Sequence, residues 1–439
     1  MLRRELALVL RARVTWFQAA LAALLVGHGF VLAVDLYAAG SRSAAAGTLM
    51  AREFDPLLGI VRPTLGGLYL ALSLFGPLVG ARAIAIEKDR RTIHTLLLQS
   101  GSLPRVVARK WIAALAGAGL PMAGAAALPL LWLSVGGHLK ASETAVAFMG
   151  YVSYAGFVTA VGLAAGAFAN SFAQAATAAL LAIAATFAID AAEGFSALAW
   201  MGGAAAWSPT GYLHSFEEGT FSVSSVGWFT GATGAALVLA GIGCRFDLHG
   251  KRRVAAIAAG LVVLIGACSL GRRLPGAWDV TESRRHSLPP AAAREIAKLP
   301  GRLQIDAELD REDSRRRQLE LDTLAKLRLA RPDLRVRWLP DERRTPSALD
   351  TSEGYGQLTI RLGDRTVRTS STSRRELTTL IFELAGRPLP DWTQSEYPGY
   401  PLVVEGGRRT AVLAVSYFVI PALFLLIGVA LTRPRRRTP

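Results

Sequence analysis

The chain contains few combinations of residues that could perform catalysis. Gly250-Lys251 comes nearest to a phosphate-binding loop, but it lacks the first glycine at the required spacing and the Ser or Thr that should follow the lysine. The HExxH and GxSxG patterns are absent, and the hydroxyl-rich run Thr369–Ser373 has no histidine near it to activate a nucleophile. Asp306 and Glu308 share one face of a predicted strand, and among so many arginines we interpret them as a solvated, salt-bridging face. The sequence therefore predicts a non-enzyme without catalytic, cofactor-binding or metal-binding residues.

The two cysteines do not indicate metal or redox chemistry. Cys244 and Cys268 lie near opposite ends of adjacent apolar segments, which makes a disulfide between them geometrically unfavourable. Neither belongs to a CxxC or Cys/His cluster, so both are expected to be small buried hydrophobic side chains.

Composition indicates a membrane protein. Of the 439 residues, 51% are hydrophobic, and the mean hydropathy is +0.33. The formal net charge is +16, but much of the excess lies beside apolar segments, where the positive-inside rule accounts for it. No stacking aromatic residues accompany the arginines, so we do not expect nucleic-acid binding.

The apolar segments predict about eight membrane spans, after a basic amphipathic lead at residues 1–13. They are about Val14–Leu36, Thr64–Ile86, Trp111–Leu133, Thr144–Asn170, Gln174–Asp190, Val226–Cys244, Val254–Leu270 and Thr410–Leu431. With a cytoplasmic N-terminus, the basic loops 87–110 and 245–253 and the C-terminal tail all fall in the cytoplasm. The long segment 271–409 then lies outside the membrane on the other side.

Polar residues within or beside these spans are weighed as functional candidates. His28 lies in the middle of the first span, where we interpret it as a neutral histidine bonded to a neighbouring helix rather than as part of a substrate path. Asp35, Asp190 and Glu193 lie at span ends and are interpreted as markers of the membrane interface. Three glycines of the third span are expected to allow close helix packing: Gly117, Gly119 and Gly124.

The outer segment 271–409 has the pattern of a small α/β domain. Leu303, Ile305, Ala307 and Leu309 alternate on one face of a predicted half-buried strand. Further predicted elements are a helix with Ser287 as N-cap, a helix over Arg315–Ala330, a strand over Leu334–Trp338, a hairpin turning at Gly363-Asp364, and a helix Arg374–Ala385 closed by Gly386. The predicted fold class is thus an α-helical polytopic membrane protein of about eight spans with a small extracytoplasmic α/β domain.

The loop between the second and third spans reads "EKDRRTIHTLLLQSGSLPRVVARK", and it resembles the first cytoplasmic loop of ABC-2-type ABC transporter permeases. In that family an E-K-E-R-G-T-like stretch leads to a leucine run, a Ser-Pro turn and a basic re-entry into the membrane. The matching residues are Glu87, Lys88, Asp89, Arg90, Thr92, Leu96, Leu97 and Leu98, while Arg91 stands where the family often has Gly. The resemblance implies that these residues form an ATPase-coupling loop whose helix enters a groove of a cytoplasmic ABC ATPase subunit.

A second stretch, "SPTGYLHSFEEGTFS" at Ser208–Ser222, is similar to the segment that precedes the sixth span of the same family. Residues 1–253 therefore resemble one complete six-span permease domain. The family resemblance implies a second permease half, in a homodimer or a heterodimer, a bacterial cytoplasmic membrane with both termini in the cytoplasm, and export rather than import. The membrane spans are expected to contact membrane lipid.

The outer segment resembles the gliding-motility-type (Gld) auxiliary subunit, in which a D-L-T…S-L-S motif follows the first span. Asp279, Thr281, Ser287 and Leu288 match that motif. That subunit usually carries a second, larger α/β region before its last span, whereas here only about 20 residues separate Gly386 from Arg408. The chain is thus divided into a permease domain 1–253, a seventh span 254–270, an auxiliary domain 271–409, and an eighth span with a basic tail 410–439. The auxiliary domain is expected to contact an extracytoplasmic protein partner.

The function expected from these resemblances is that of a permease subunit that couples ATP hydrolysis by a separate ATPase to export. One alternative is ATP-driven mechanotransmission to an outer partner without transport. Another is a membrane scaffold unrelated to ABC transporters.

Overall fold

The computed structural model describes residues 2–44, 49–90, 92, 102–192, 207–245, 247–288, 290–310, 313, 315–316, 319–339, 355–389 and 397–432. Within these ranges eight helices are long and apolar enough to cross a membrane, as the sequence predicts. They are span 1 (Arg13–Ser41), span 2 (Leu57–Asp89), span 3 (Leu103–Ser134), span 4 (Ala141–Phe168), span 5 (Phe172–Asp190), span 6 (Val223–Gly243), span 7 (Gly250–Arg272) and span 8 (Gly407–Thr432). The chain is a polytopic α-helical membrane protein.

All eight spans begin earlier than the sequence predicts, and the largest differences are at span 2, which begins at Leu57 rather than Thr64, and at span 3, which begins at Leu103 rather than Trp111. Span 2 starts with a π-helical turn, Leu57–Val61, and continues as an α-helix from Arg62. Span 3 starts at Leu103, with Pro104 in its first turn, where a missing backbone N–H is tolerated. A separate helix, Leu2–Leu10, precedes span 1 and corresponds to the amphipathic lead.

Spans 2 and 4 form the tightly packed centre of the bundle. A Cβ placed on Gly80 would lie 2.1 Å from the backbone oxygen of Thr159, and one on Gly162 would lie 2.1 Å from the backbone oxygen of Pro77. The two helices therefore approach to backbone contact, which only glycine allows at these positions.

Span 7 packs on span 6 through the same kind of close backbone contact at glycine positions. A Cβ on Gly271 would lie 2.4 Å from the carbonyl carbon of Gly227, and one on Gly231 would lie 2.8 Å from the oxygen of Ala267. Cys268 of span 7 and Cys244, directly after span 6, are buried free thiols. Small residues thus define the contact between spans 6 and 7.

Span 8 packs instead on spans 1 and 3. It contains a π-helical turn, Val415–Val419, and the oxygen of Ser416 in that turn lies within 2.6 Å of a Cβ placed on Gly27 of span 1. The Tyr417 hydroxyl lies 2.7 Å from Nδ1 of His28, which confirms the prediction that His28 bonds to a neighbouring helix.

An ion pair also connects span 8 to span 1. Arg409 donates to both carboxylate oxygens of Asp35, at 3.0 and 3.2 Å, so this aspartate has a partner in addition to its position at a span end.

The glycines of span 3 differ in their surroundings. Gly124 packs against Phe424 of span 8 and Gly117 against Val9, as predicted, but a Cβ on Gly119 would meet nothing within 4 Å, so the close-packing prediction is wrong for Gly119.

The chain divides into two compact units, residues 1–278 with 398–439, and residues 279–397. The second unit contains a four-stranded sheet in the order β4-β3-β5-β6, formed by β3 (Leu303–Ala307), β4 (Arg335–Trp338), β5 (Leu358–Leu362) and β6 (Arg365–Thr369). Strand β3 is parallel to β4 and antiparallel to β5. Two short strands, β1 (Thr220–Ser222) and β2 (Ala277–Asp279), form a separate pair.

Several local predictions for this unit are confirmed. Strands β5 and β6 form the hairpin that turns at Gly363-Asp364, and Gly386 closes the helix Arg374–Ala385 in the left-handed conformation. Leu303, Ile305, Ala307 and Leu309 are all fully buried in one core. Another described helix of the unit is Pro290–Ala297. The described residues within the predicted helix Arg315–Ala330 are all helical, but Leu319–Leu324 is a π-helical turn before the α-helix Ala325–Ala330, so the helix is irregular.

Two side chains of this unit differ from their predictions. The predicted salt bridge of Asp306 is confirmed, because it accepts from Arg361 at 3.0 Å, but Asp306 is buried rather than solvated and also accepts from Gln304 at 2.7 Å. Ser287 is not a helix N-cap, because the helix begins at Pro290 and the Ser287 hydroxyl donates to Asp279.

Candidate functional site

The predicted coupling loop begins at the end of span 2 and ends at the start of span 3. The structure describes its residues 87–90, 92 and 102–110, whereas Arg91, Leu96, Leu97 and Leu98 lie outside the described residues. The predicted loop helix therefore lies outside the described residues, whereas both ends of the loop lie within them.

Lys110 is the polar centre of the loop's base. Its ammonium lies 2.8 Å from Oε1 of Glu87 and 3.2 Å from Oε2 of Glu5, and it donates to the backbone oxygen of Ala83 at 3.0 Å. Only 1% of Lys110 is exposed. The three donors of the ammonium thus match three acceptors, which lie on span 2 and on the N-terminal helix. We call Lys110, Glu87 and Glu5 the loop-base cluster.

The burial of the loop-base cluster determines how much it contributes to the stability of the fold. Desolvating three charged groups costs about as much as their attraction returns, so the cluster adds little net stability over an apolar core. Removing one partner, however, leaves a buried charge without compensation and costs about 3–5 kcal/mol. The cluster therefore fixes the relative positions of span 2, span 3 and the N-terminal helix.

Lys88 connects the loop to a different part of the bundle. Its ammonium donates to the backbone oxygens of Ala167 at 2.8 Å and Ala169 at 2.6 Å, at the C-terminal end of span 4. Carbonyls at a helix end have no intrahelical partner and carry partial negative charge, so a lysine is a favourable cap for them. The end of span 4 is thereby joined to the start of the loop.

The described residues that directly follow Lys88 are not buried in the bundle. Asp89, Arg90 and Thr92 are exposed, and the Thr92 amide donates to the backbone oxygen of Glu87 at 3.0 Å, which closes the end of span 2. The structure thus divides the predicted coupling residues into anchors, Glu87 and Lys88, and exposed charges directly after them.

Glu5 and Lys110 were missed by sequence reasoning. A signal existed for each, because Glu5 is the one acidic residue of the basic N-terminal lead and Lys110 lies next to the apolar run of span 3. A charged residue at the edge of an apolar span is expected to have a buried partner. Placing the start of span 3 at Trp111 assigned Lys110 to the loop and hid this partnership.

The motif predicted to begin the outer domain is centred on one carboxylate. Oδ1 of Asp279 accepts from the backbone amide of Thr281 at 3.0 Å and also from its hydroxyl, while Oδ2 accepts from the His286 amide at 2.9 Å and the Ser287 hydroxyl at 2.8 Å. Leu288 is buried in the core of the second unit. The structure therefore brings all four predicted residues together, in a hydrogen-bonded turn followed by a core anchor.

The stretch Ser208–Ser222 forms a second polar cluster near the other end of span 2. Ser208 caps the helix Pro209–Glu217, and Glu217 accepts from the Tyr151 hydroxyl at 2.5 Å through Oε1, while its Oε2 lies 2.7 Å from Nδ1 of His214. Arg62 of span 2 lies 3.7 Å from the same Oε2. We call Glu217, His214, Tyr151 and Arg62 the Glu217 cluster.

The charges of this cluster shift the proton affinities of its members. The hydrogen bond to Glu217 raises the pKa of His214 above its ordinary value of 6.5, although burial opposes the shift. Burial would raise the pKa of Glu217, but the hydrogen bonds from His214 and Tyr151 outweigh it, so the pKa is lowered from 4.5. Both shifts favour a charged pair at neutral pH.

Asp190, predicted as an interface marker, lies beside this cluster. Its Oδ2 accepts from the hydroxyl of Thr210, which in turn lies 3.3 Å from the Tyr69 hydroxyl. Glu193 lies outside the described residues. Among the described residues, no group of three or more His, Cys, Asp or Glu could hold a metal ion.

Comparison with protein-family models, with curated proteins and with solved structures gives no significant match for this chain.

Proposed function

We propose that the chain is a permease subunit of an ABC-2-type ABC transporter fused to a gliding-motility-type auxiliary domain. A separate cytoplasmic ATPase binds the loop 87–110. Hydrolysis of ATP by that ATPase drives export. The N- and C-termini and the basic loops lie in the cytoplasm of a bacterium, and the small α/β domain lies on the other side of the membrane. A second permease half, identical or different, completes the transporter.

The observation that carries the proposal is the loop-base cluster. A loop that transmits force must be anchored rigidly, because a compliant attachment would absorb the movement. Lys110 joins both ends of the loop to each other and to the N-terminal helix, and Lys88 joins the loop to span 4. Movement imposed on the exposed charges Asp89 and Arg90 would therefore reach four helices together.

The mechanotransmission alternative is favoured by a separate observation. The second unit is connected to the bundle by span 7 before it and span 8 after it. Span 7 packs on span 6, whereas span 8 packs on spans 1 and 3. A change in the separation of spans 1 and 6 would thus move the two connections apart and act on the outer unit without any transported substrate.

The test is a tagged purification from gently solubilised native membranes, followed by mass spectrometry and an ATP-hydrolysis assay. The variant reverses two loop charges with Arg90→Glu and Arg91→Glu, and adds Leu96→Asp. The matched control reverses two exposed charges in the first turn of span 7, with Lys251→Glu and Arg252→Glu. We expect a P-loop ATPase to copurify with the wild type and the control but not with the coupling-loop variant.

Two results would contradict the proposal. Undiminished ATPase association in the coupling-loop variant would show that the loop is not the docking element. A wild-type eluate without any ATPase would instead favour the scaffold alternative. If an ATPase copurifies, ATP hydrolysis that responds to an outer partner but to no substrate would favour mechanotransmission.

A further inference from the structure

A cavity of about 340 Å³ lies where span 2 meets the helix Pro209–Glu217. Its wall includes Arg62, Pro63, Gly66, Tyr69, Leu213 and His214. This volume is at the lower end of the range for small-molecule pockets, so it suits a ligand headgroup rather than a whole lipid chain.

The acidic residue in the wall is already satisfied by the protein. Both carboxylate oxygens of Glu217 are occupied, one by the Tyr151 hydroxyl at 2.5 Å and the other by His214 at 2.7 Å. Glu217 is 6% exposed, so it has little capacity to bind a ligand cation. Its role in this cavity is to orient the histidine beside Arg62.

Arg62, in contrast, is held only by long contacts. Its guanidinium lies 3.7 Å from Glu217, 3.8 Å from Glu218 and 3.5 Å from Nδ1 of His214. An optimal guanidinium–oxyanion hydrogen bond is about 2.8 Å long, and the planar group can donate two parallel bonds to one phosphate or carboxylate. An incoming oxyanion could therefore form shorter bonds than the cavity's own carboxylates do.

His214 supplies a second donor next to the first. Because Nδ1 faces Glu217, the other ring nitrogen, Nε2, is the one left for a ligand, and the imidazole side chain is 48% exposed. The raised pKa of His214 favours the imidazolium form, which donates from both ring nitrogens. Two donors on two different helices suit a phosphate, which presents three acceptor oxygens, better than a carboxylate with two.

The rest of the wall is apolar and open. Pro63, Leu213 and the Tyr69 ring contribute carbon surface, and a Cβ added to Gly66 would meet nothing within 4 Å. One and two turns along span 2, Leu70 and Leu74 are also exposed. An apolar group attached to the phosphate would thus continue along a hydrophobic helix face.

We propose that this cavity binds a phosphate ester that carries an apolar chain, with the phosphate on Arg62 and His214 and the chain over Gly66. The site goes beyond the proposed function, because binding to it requires neither an ATPase nor a second permease half. The same chemistry is found in phospholipid headgroups and in soluble alkyl phosphates.

Binding is measured by calorimetric titration of the full chain in detergent micelles, without nucleotide, with hexyl phosphate as the probe and hexanol as the uncharged control. Gly66→Leu adds a side chain in the cavity wall at a position where a Cβ meets nothing within 4 Å, and Gly119→Leu is the matched control at another helix position with the same property. Arg62→Gln removes the main donor. We expect affinity to fall at least tenfold in Gly66→Leu and in Arg62→Gln, with no change in Gly119→Leu and no binding of hexanol.

Native mass spectrometry of the same proteins identifies the source of the ligand. Phospholipid retained by the wild type and by Gly119→Leu, but lost from Gly66→Leu, would support the site and assign it to a lipid headgroup. Hexyl phosphate binding without retained phospholipid would support a soluble alkyl phosphate. The proposal is overturned if Gly66→Leu binds as well as the wild type, or if the wild type neither binds hexyl phosphate nor retains phospholipid. Should Arg62→Gln fail to fold, Gly66→Leu decides the question alone.

Discussion

Span 2 has a polar cluster near each of its ends, and the two clusters are organised differently. At the loop end, Lys110 is fully enclosed, and each of its three donors has an acceptor within 3.2 Å. At the opposite end, Glu217 is also buried, but Arg62 remains partly exposed, and its contacts are 3.5 Å or longer. A cavity adjoins Arg62.

The difference indicates different tasks for the same residue types. In the closed loop-base cluster the cation is buried and all its donors are used, so the cluster serves to fix helix positions. An open cluster keeps one cation solvated and poorly paired, so a ligand can improve its hydrogen bonding. Coupling is therefore expected from the loop-base cluster and recognition from the Glu217 cluster.

The largest effect is expected from Lys110→Met, which removes the only ammonium between Glu5 and Glu87 in the loop-base cluster. Two buried carboxylates would remain without their cation, which should lower the free energy of unfolding by about 3–5 kcal/mol. The measurement is thermal unfolding of the detergent-solubilised protein, with Lys251→Met as the control, because Lys251 is an exposed lysine in the first turn of span 7. Adding Glu5→Gln and Glu87→Gln to Lys110→Met should restore much of the loss. Equal stability of the two lysine variants would mean that the loop base is not a rigid anchor.

An intermediate effect is expected from Glu217→Gln in the open cluster. The amide keeps the shape of the side chain but loses the charge that pairs with His214 and Arg62, so the cost should be about 1.5–3 kcal/mol. Glu218→Gln is the neighbouring control, and because Glu218 is 40% exposed its cost should stay within about 0.5 kcal/mol. If Glu217→Gln destabilised as much as Lys110→Met, the distinction between an open and a closed cluster would fail.

The smallest effect is a pH dependence of the Glu217 cluster. The raised pKa of His214 means that its stabilisation is complete below pH 6.5 and is lost as the pH rises through the raised value. The lowered pKa of Glu217 means that its contribution is complete above pH 4.5 and is lost on acidification. Three other groups face the His214–Glu217 pair and contribute to the electrostatic potential there: Arg62, Glu218 and Tyr151.

The difference in unfolding midpoint between wild type and His214→Gln should therefore be largest between pH 4.5 and 6.5 and should shrink towards pH 9. The change should be smaller than that of Glu217→Gln, because the half-exposed imidazole is screened by solvent. If the difference in unfolding midpoint instead increased with pH, the pKa of His214 would not be raised in the folded protein. His214 would then not serve as the second donor of the cavity.

Sequence patterns were sufficient to predict the elements that depend only on local hydrophobic periodicity and turn residues. The eight apolar runs, the hairpin at Gly363-Asp364 and the helix closed by Gly386 each depend on local composition and turn chemistry, and the structure contains them. His28 could also be predicted to bond to another helix, because a polar side chain inside a span needs a partner.

Partnerships between distant residues could not be predicted in this way. Glu5 and Lys110 are 105 residues apart, and nothing in either local sequence indicates the other. The buried Asp306 was misjudged because alternation predicts the face of a strand but not what covers it, and Arg361 reaches it from the neighbouring strand. The π-helical turns Leu57–Val61 and Val415–Val419 depart from the 3.6-residue period, so periodicity does not reveal them.

The pairing of span 8 with span 1 also has a consequence for biosynthesis. His28 and its partner Tyr417 are 389 residues apart, and Asp35 and Arg409 are 374 residues apart. At about 5–20 residues per second, the ribosome needs about 20–80 s to make the intervening chain. During that time the first span, although long and apolar enough to cross a membrane, has neither partner for its histidine and aspartate. A nascent chain truncated before span 8 would keep these polar groups unpaired, which gives membrane proteases a means to distinguish unfinished copies from complete ones.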